Sequence, residues 1–122
     1  MENETYIVLS GMKVTNQYGT FYFNEPGKWI DENEYPIYEK LHRTDGPACE
    51  WTGGSKAWYV MGKLHRTDGP AVEEDGQKEW HVNGKLHRDD GPAIENTQWG
   101  EEWYVMGKQH TEEEYDRWRS QK

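Results

Sequence analysis

Residues 71–84 alternate apolar and polar side chains in two short runs. Ala71-Val72-Glu73-Glu74 is followed by Asp75-Gly76, and Glu79-Trp80-His81-Val82 is followed by Asn83-Gly84. Alternation with period two, broken by Asp-Gly and Asn-Gly, predicts short antiparallel strands joined by tight turns, because these turn residues accept positive φ. The pattern recurs. Residues 40–62, 63–84 and 85–107 are three copies of one unit, each opening on Lys-Leu-His-Arg and closing on Gly. His42, His65, His87 and His110 stand 23, 22 and 23 residues apart, and Trp58, Trp80 and Trp103 mark the same period. A repeat this short cannot bury its own apolar face, so neighbouring copies must stack. The expected fold class is therefore mainly β, an antiparallel meander of tandem hairpin repeats 22–23 residues long.

The alternation also sorts side chains between faces. Trp58 and Val60, Trp80 and Val82, and Trp103 and Val105 share one side of their strands. Together with ladders of Cys49, Val72 and Ile94 and of Leu41, Leu64 and Leu86, they form the expected core. The opposite side carries Tyr59, His81 and Tyr104, with Met61, Asn83 and Met106 beside them. A unit that only packs can place charges there, so Tyr59, Met61, His81, Tyr104 and Met106 are candidate partner-binding residues. The competing explanation is plain cover for a thin sheet.

Both ends read as caps on a single domain spanning 1–122. Residues 1–39 form an N-terminal β cap, with strands expected at Thr5-Tyr6-Ile7-Val8-Leu9 and Thr20-Phe21-Tyr22-Phe23 and turns at Gly11, Gly19 and Pro26-Gly27. Residues 40–107 hold the three repeats. Residues 108–122 begin a fourth and change into a short capping helix. Thr111-Glu112-Glu113-Glu114 has the capping-box pattern, and Tyr115 and Trp118 lie on one side of the helix.

Composition changes the picture in one respect. Leu, Ile, Val and Phe make only 16 of the 122 residues and the net charge is -9, which would class the chain as disordered. Seven Trp and eight Tyr reverse that, since each buried aromatic removes roughly 150–250 Å² from water. An aromatic core is expected. The acidic balance argues against direct binding of nucleic acid or of an anionic membrane surface. The N-terminal residues lack the pattern of a signal peptide, and a single cysteine points to a reducing, cytoplasmic location.

His-Arg-x-Asp-Gly-Pro-Ala recurs at 42–48, 65–71 and 87–93. As structure, Asp caps a turn, Gly takes special backbone angles, Pro starts a strand, and Arg forms a fork-shaped pair with Asp. As function, the ladder of His42, Arg43, His65, Arg66, His87 and Arg88 is a candidate anion-binding site. Repetition favours scaffold, because a single site needs its residues only once. No catalytic motif is present, so neither a catalytic residue, a metal site nor a cofactor is expected. Cys49 aligns with Val72 and Ile94, as an inert buried thiol would.

The run Trp-Tyr/His-Val-x-Gly-Lys-Leu-His-Arg-x-Asp-Gly-Pro-Ala resembles the MORN-variant type of repeat. It resembles more closely the tandem HRxDGPA repeats of bacteriophage and giant-virus proteins. The resemblance covers residues 40–110 and the Thr-Glu-Glu-Glu-Tyr ending, but not residues 1–39. It implies an antiparallel meander that acts by contact and not by catalysis, in settings of phage–host conflict. The expectation is a non-enzymatic scaffold that binds a partner protein, as a phage-encoded inhibitor of host defence acting in the host cytoplasm. The alternative is a small-molecule binder that sequesters an anionic nucleotide through its Arg/His ladder and aromatic face. The oligomeric state is left open by the sequence.

Overall fold

The repeated turns set the strand pattern. Asp75-Gly76 joins two strands in which Glu74 pairs with Gln77, as a two-residue loop requires. Met61-Gly62, Asn83-Gly84 and Met106-Gly107 put both turn residues at positive φ, with values of 52° and 78°, 51° and 83°, and 47° and 89°. Backbone twist of that hand matches the twist of the flanking strands. The computed structural model describes residues 13–24 and 27–121, and the chain divides after Lys63 into two compact units.

The first unit contains β1 (Lys13–Asn16), β2 (Gly19–Tyr22), β3 (Cys49–Trp51), β4 (Lys56–Ala57) and β5 (Tyr59–Val60). β1 to β4 pair antiparallel in chain order, with Val14 opposite Phe21, Phe21 opposite Cys49 and Cys49 opposite Ala57. Between β2 and β3 runs an irregular segment with a 3-10 turn at Tyr38–Lys40. Its loop is tied by the Asp31 carboxylate, which accepts from the N–H groups of Asn33 and Tyr35. Phe21, Phe23, Trp29, Leu41 and Cys49 are buried, and the Phe23 and Trp29 rings stack at 5.0 Å. The aromatic core expected from composition is thus present here. The strand expected over 20–23 matches β2, which begins at Gly19 and ends at Tyr22. The strand expected at Thr5–Leu9 and the turn at Gly11 lie outside the described residues, as does Pro26.

β6 (Lys63–Leu64) straddles the division. The second unit continues with β7 (Val72–Glu74), β8 (Gln77–Glu79), β9 (His81–Val82), β10 (Lys85–Leu86), β11 (Ile94–Asn96), β12 (Gly100–Val105) and β13 (Lys108–His110). β7, β8, β11, β12 and β13 pair antiparallel in that order, while β9 and β10 form a separate ribbon. The helix α1 (Glu112–Ser120) closes the chain. Thr111 and Glu114 form the reciprocal capping box, and Tyr115 on its inner side is 1% exposed. The fold is therefore mainly β, an antiparallel meander with one C-terminal helix, as the repeat pattern predicts.

The core of the repeats differs from expectation. Trp58, Trp80 and Trp103 are half-buried, as are Val60, Val82 and Val105, and none is fully buried. Of the other ladders only Cys49 and Leu41 are buried, while Val72, Ile94, Leu64 and Leu86 are half-buried. The position fully buried in all three repeats is instead that of Ala48, Ala71 and Ala93, each at 0%. These alanines sit where neighbouring strands pair. The Ala71 and Ala93 N–H groups donate to Glu79 and Glu102, and the Ala48 and Ala93 carbonyls accept from Tyr22 and Trp80.

Candidate functional site

Each HRxDGPA segment builds the same guanidinium socket. Nε of Arg43, Arg66 and Arg88 donates to Asp45, Asp68 and Asp90 at 2.9, 2.9 and 3.0 Å. Nη1 donates to the carbonyls of Pro47, Pro70 and Pro92 at 3.1, 3.0 and 3.0 Å. The same Nη1 also meets a strand carboxylate, Glu50 at 3.7 Å, Glu73 at 3.2 Å or Glu95 at 2.9 Å. The Tyr22 ring lies 3.8 Å from Arg43 Cζ and the Trp80 ring 3.7 Å from Arg88 Cζ. The paired guanidiniums hold the Asp45 and Asp68 carboxyls below their ordinary range, first by hydrogen bonding and then by charge. Every guanidinium thus faces two carboxylates, and the expected cationic ladder is net negative.

The glycine of this motif serves a different purpose from the one expected. Gly46, Gly69 and Gly91 are not among the glycines with positive φ. A Cβ there would stand 2.9, 2.8 and 2.9 Å from the Cζ of Arg43, Arg66 and Arg88. The residue is glycine because the guanidinium lies against its backbone.

The histidines are part of the same frame. The N–H groups of Met61, Asn83 and Met106 donate to Nδ1 of His42, His65 and His87 at 2.9, 3.0 and 3.0 Å. In each turn the next N–H, from Gly62, Gly84 or Gly107, donates to the carbonyl of Leu41, Leu64 or Leu86. The opening Leu-His of a unit therefore clamps the turn that ends it. A donor aimed at Nδ1 needs the lone pair there, which places the ring hydrogen on Nε2. The nitrogen a general base would use is occupied. The clamp also offsets the cost of holding a methionine in the left-handed region.

The candidate partner face is divided. Met61 is 62% and Met106 50% exposed, both on clamped turns. Tyr59 and Tyr104 are half-buried, and the Tyr104 hydroxyl donates to Glu102 at 3.2 Å. His81 is 8% exposed and bonds Glu79 through Nε2 at 2.9 Å, so this position lies inside the protein and not on an open face. That bond is the main reason the Glu79 carboxyl is lowered. Conversely, Trp80 and Val82, expected in the core, line a groove of about 570 Å³ in the second unit. Arg66, Asp68, Arg88, Asp89 and Asp90 also line it.

Two residues of interest escaped the sequence reading. Trp99 is 78% exposed at the tip of the β11–β12 hairpin, where the Asn96 side chain accepts from the Gln98 and Trp99 N–H groups. The available signal was the extra residue that lengthens this loop relative to Asp75-Gly76. Asp89, which accepts from His87 Nε2 at 2.8 Å, occupies the position held by Thr44 and Thr67 in the other units. Cys49 is buried, and desolvation pushes its thiol up to about 12. Among the described residues no group of three His, Cys, Asp or Glu side chains is placed to hold a metal ion. Among them, too, no helix is long and apolar enough to cross a membrane. Comparison with protein-family models, with curated proteins and with solved structures finds no match to the chain, so the chemistry of the site is argued from its geometry alone.

Proposed function

We propose that the chain is a non-catalytic repeat scaffold that binds a partner protein, as a phage-encoded inhibitor of a host defence system in the host cytoplasm. The observation that carries this reading is the contrast between sockets and turns. The polar side chains common to the repeats are consumed by the frame, whereas Met61, Met106 and Trp99 stand exposed on turns whose backbone N–H groups donate to the side chains of His42, His87 and Asn96. Apolar side chains carried on a fixed backbone cost less to order on docking than those on a loose loop, and act as anchors. Occupied Nδ1 atoms in His42, His65 and His87 support a role without catalysis. The viral assignment rests on the resemblance of the KLHRxDGPA run. Sequestration of an anionic nucleotide has less support, because each guanidinium already faces two carboxylates.

Asparagine occupies the turn position of Met61 and Met106 in the second repeat, so Met61→Asn and Met106→Asn leave the turns intact. Combined with Trp99→Ser, they remove the anchors without touching the frame. Affinity capture from a bacterial lysate, with mass spectrometry, is expected to recover one protein on the native chain and lose it on the triple variant at equal melting temperature. Equal recovery on both chains, or a co-purified nucleotide with no protein, overturns the proposal.

A further inference from the structure

The groove of the second unit differs in chemistry from the anion ladder expected at these residues. It is lined by two guanidiniums, Arg66 and Arg88, and three carboxylates, Asp68, Asp89 and Asp90. His87 adds no donor to an incoming anion, since Nδ1 accepts from Met106 and Nε2 meets Asp89. Trp80 and Val82 also line the groove, and the Trp80 ring already holds one guanidinium, that of Arg88, at 3.7 Å. Carboxylates beside an aromatic ring favour a planar cation, which gains both charge-assisted hydrogen bonds and attraction to the ring.

One further feature concerns the repeat itself. Arg, the motif Asp, Gly and Pro are common to all units because the socket needs them. Asp89 is not, since Thr serves at 44 and 67. The frame therefore does not require this carboxylate, which lines the groove.

We infer that this groove receives an arginine side chain from a basic segment of the partner protein. The inference rests on the protein-binding proposal and narrows it to a partner whose docking segment is basic. A chain of net charge -9 also draws such a segment from a distance, at a rate that salt reduces.

The test uses the full chain, labelled with a nitrogen isotope, and the probe acetyl-Gly-Arg-Gly-Arg-Gly-amide. Expected are changes in the nuclear magnetic resonance spectrum concentrated at the Trp80 indole and at Arg88 to Gly91. Binding should weaken as NaCl rises from about 50 to about 500 mM. Asp89→Thr installs the residue that two other units carry, so its fold is safe, and it should weaken binding about fivefold. The matching glutamate peptide and inorganic phosphate should leave these signals unmoved. No response to the arginine peptide at millimolar concentration, undiminished affinity in Asp89→Thr, or a response to phosphate instead would each overturn the inference. These outcomes are separable from the capture experiment, whose anchors lie outside the groove. A partner lost with Met61, Met106 and Trp99 leaves protein binding standing even if the peptide fails.

Discussion

At the scale of single residues, the repeated motif is a socket defined by what cannot be larger. Gly69 is the clearest case. In Gly69→Ala the new Cβ meets Arg66 Cζ at 2.8 Å, and that guanidinium is pinned by Asp68 and the Pro70 carbonyl. It must leave the socket. The variant is expected to melt at lower temperature and to return the Asp68 carboxyl toward its ordinary titration, seen by nuclear magnetic resonance. Thr67→Ala, on the exposed neighbour, should change neither. A Gly69→Ala protein with an unaltered Asp68 titration would show that Arg66 accommodates the methyl group. Cys49 provides a second check. With its thiol pushed up to about 12 by burial, native protein should not react with a disulfide reagent at neutral pH, whereas urea-unfolded protein should react fully.

At the scale of elements, α1 is attached to its unit through a hydroxyl as well as an apolar surface. Tyr115 is buried, and its hydroxyl donates to the Arg88 carbonyl and accepts from the Gly91 N–H, the latter at 3.2 Å. Tyr115→Phe keeps the ring and strands both backbone groups, a loss of about 1–3 kcal/mol in urea melts. A loss well below that range would mean that water replaces the hydroxyl. This helix was legible in the sequence because its signals are local, the capping box at Thr111 and Glu114 and two aromatics three apart. The hairpins were legible for the same reason, through Asp75-Gly76 and Asn83-Gly84. The buried face was not. Alternation assigns Trp80 and His81 to opposite sides but does not say which side is covered. The answer depends on which segments pack together, set by pairings such as Trp80 with Ala93 that are distant in sequence. The guanidinium ladder was likewise visible as residues but not as charge, because Glu73 and Glu95 lie seven positions beyond their arginines. Only the fold brings each pair together.

At the scale of the whole molecule, two electrostatic effects oppose each other. A net charge of -9 repels itself and disfavours the compact state, while carboxylates placed beside donors favour it. Acid titration separates them. Asp45 and Asp68 are lowered by their arginines, Glu79 by His81, and Glu114 by the backbone N–H of Thr111. For these groups the folded chain holds its protons less tightly than the unfolded chain. Their stabilisation is therefore complete above the ordinary carboxylate range, around pH 4, and is lost as pH falls through the lower folded values. If self-repulsion dominated, protonation would relieve it and the protein would gain stability on acidification. Because the lowered carboxyls are partnered in specific geometry, the expected result is the reverse. The urea midpoint should stay level from about pH 7 to about pH 5 and fall below about pH 4. The double variant Asp45→Asn, Asp68→Asn should start from a lower midpoint at neutral pH, modestly so since both carboxylates are exposed, and should fall less steeply in acid. Parallel curves for native and variant protein would assign the acid loss to carboxyls other than those of the sockets, and a midpoint that rises toward pH 4 would give the balance to self-repulsion.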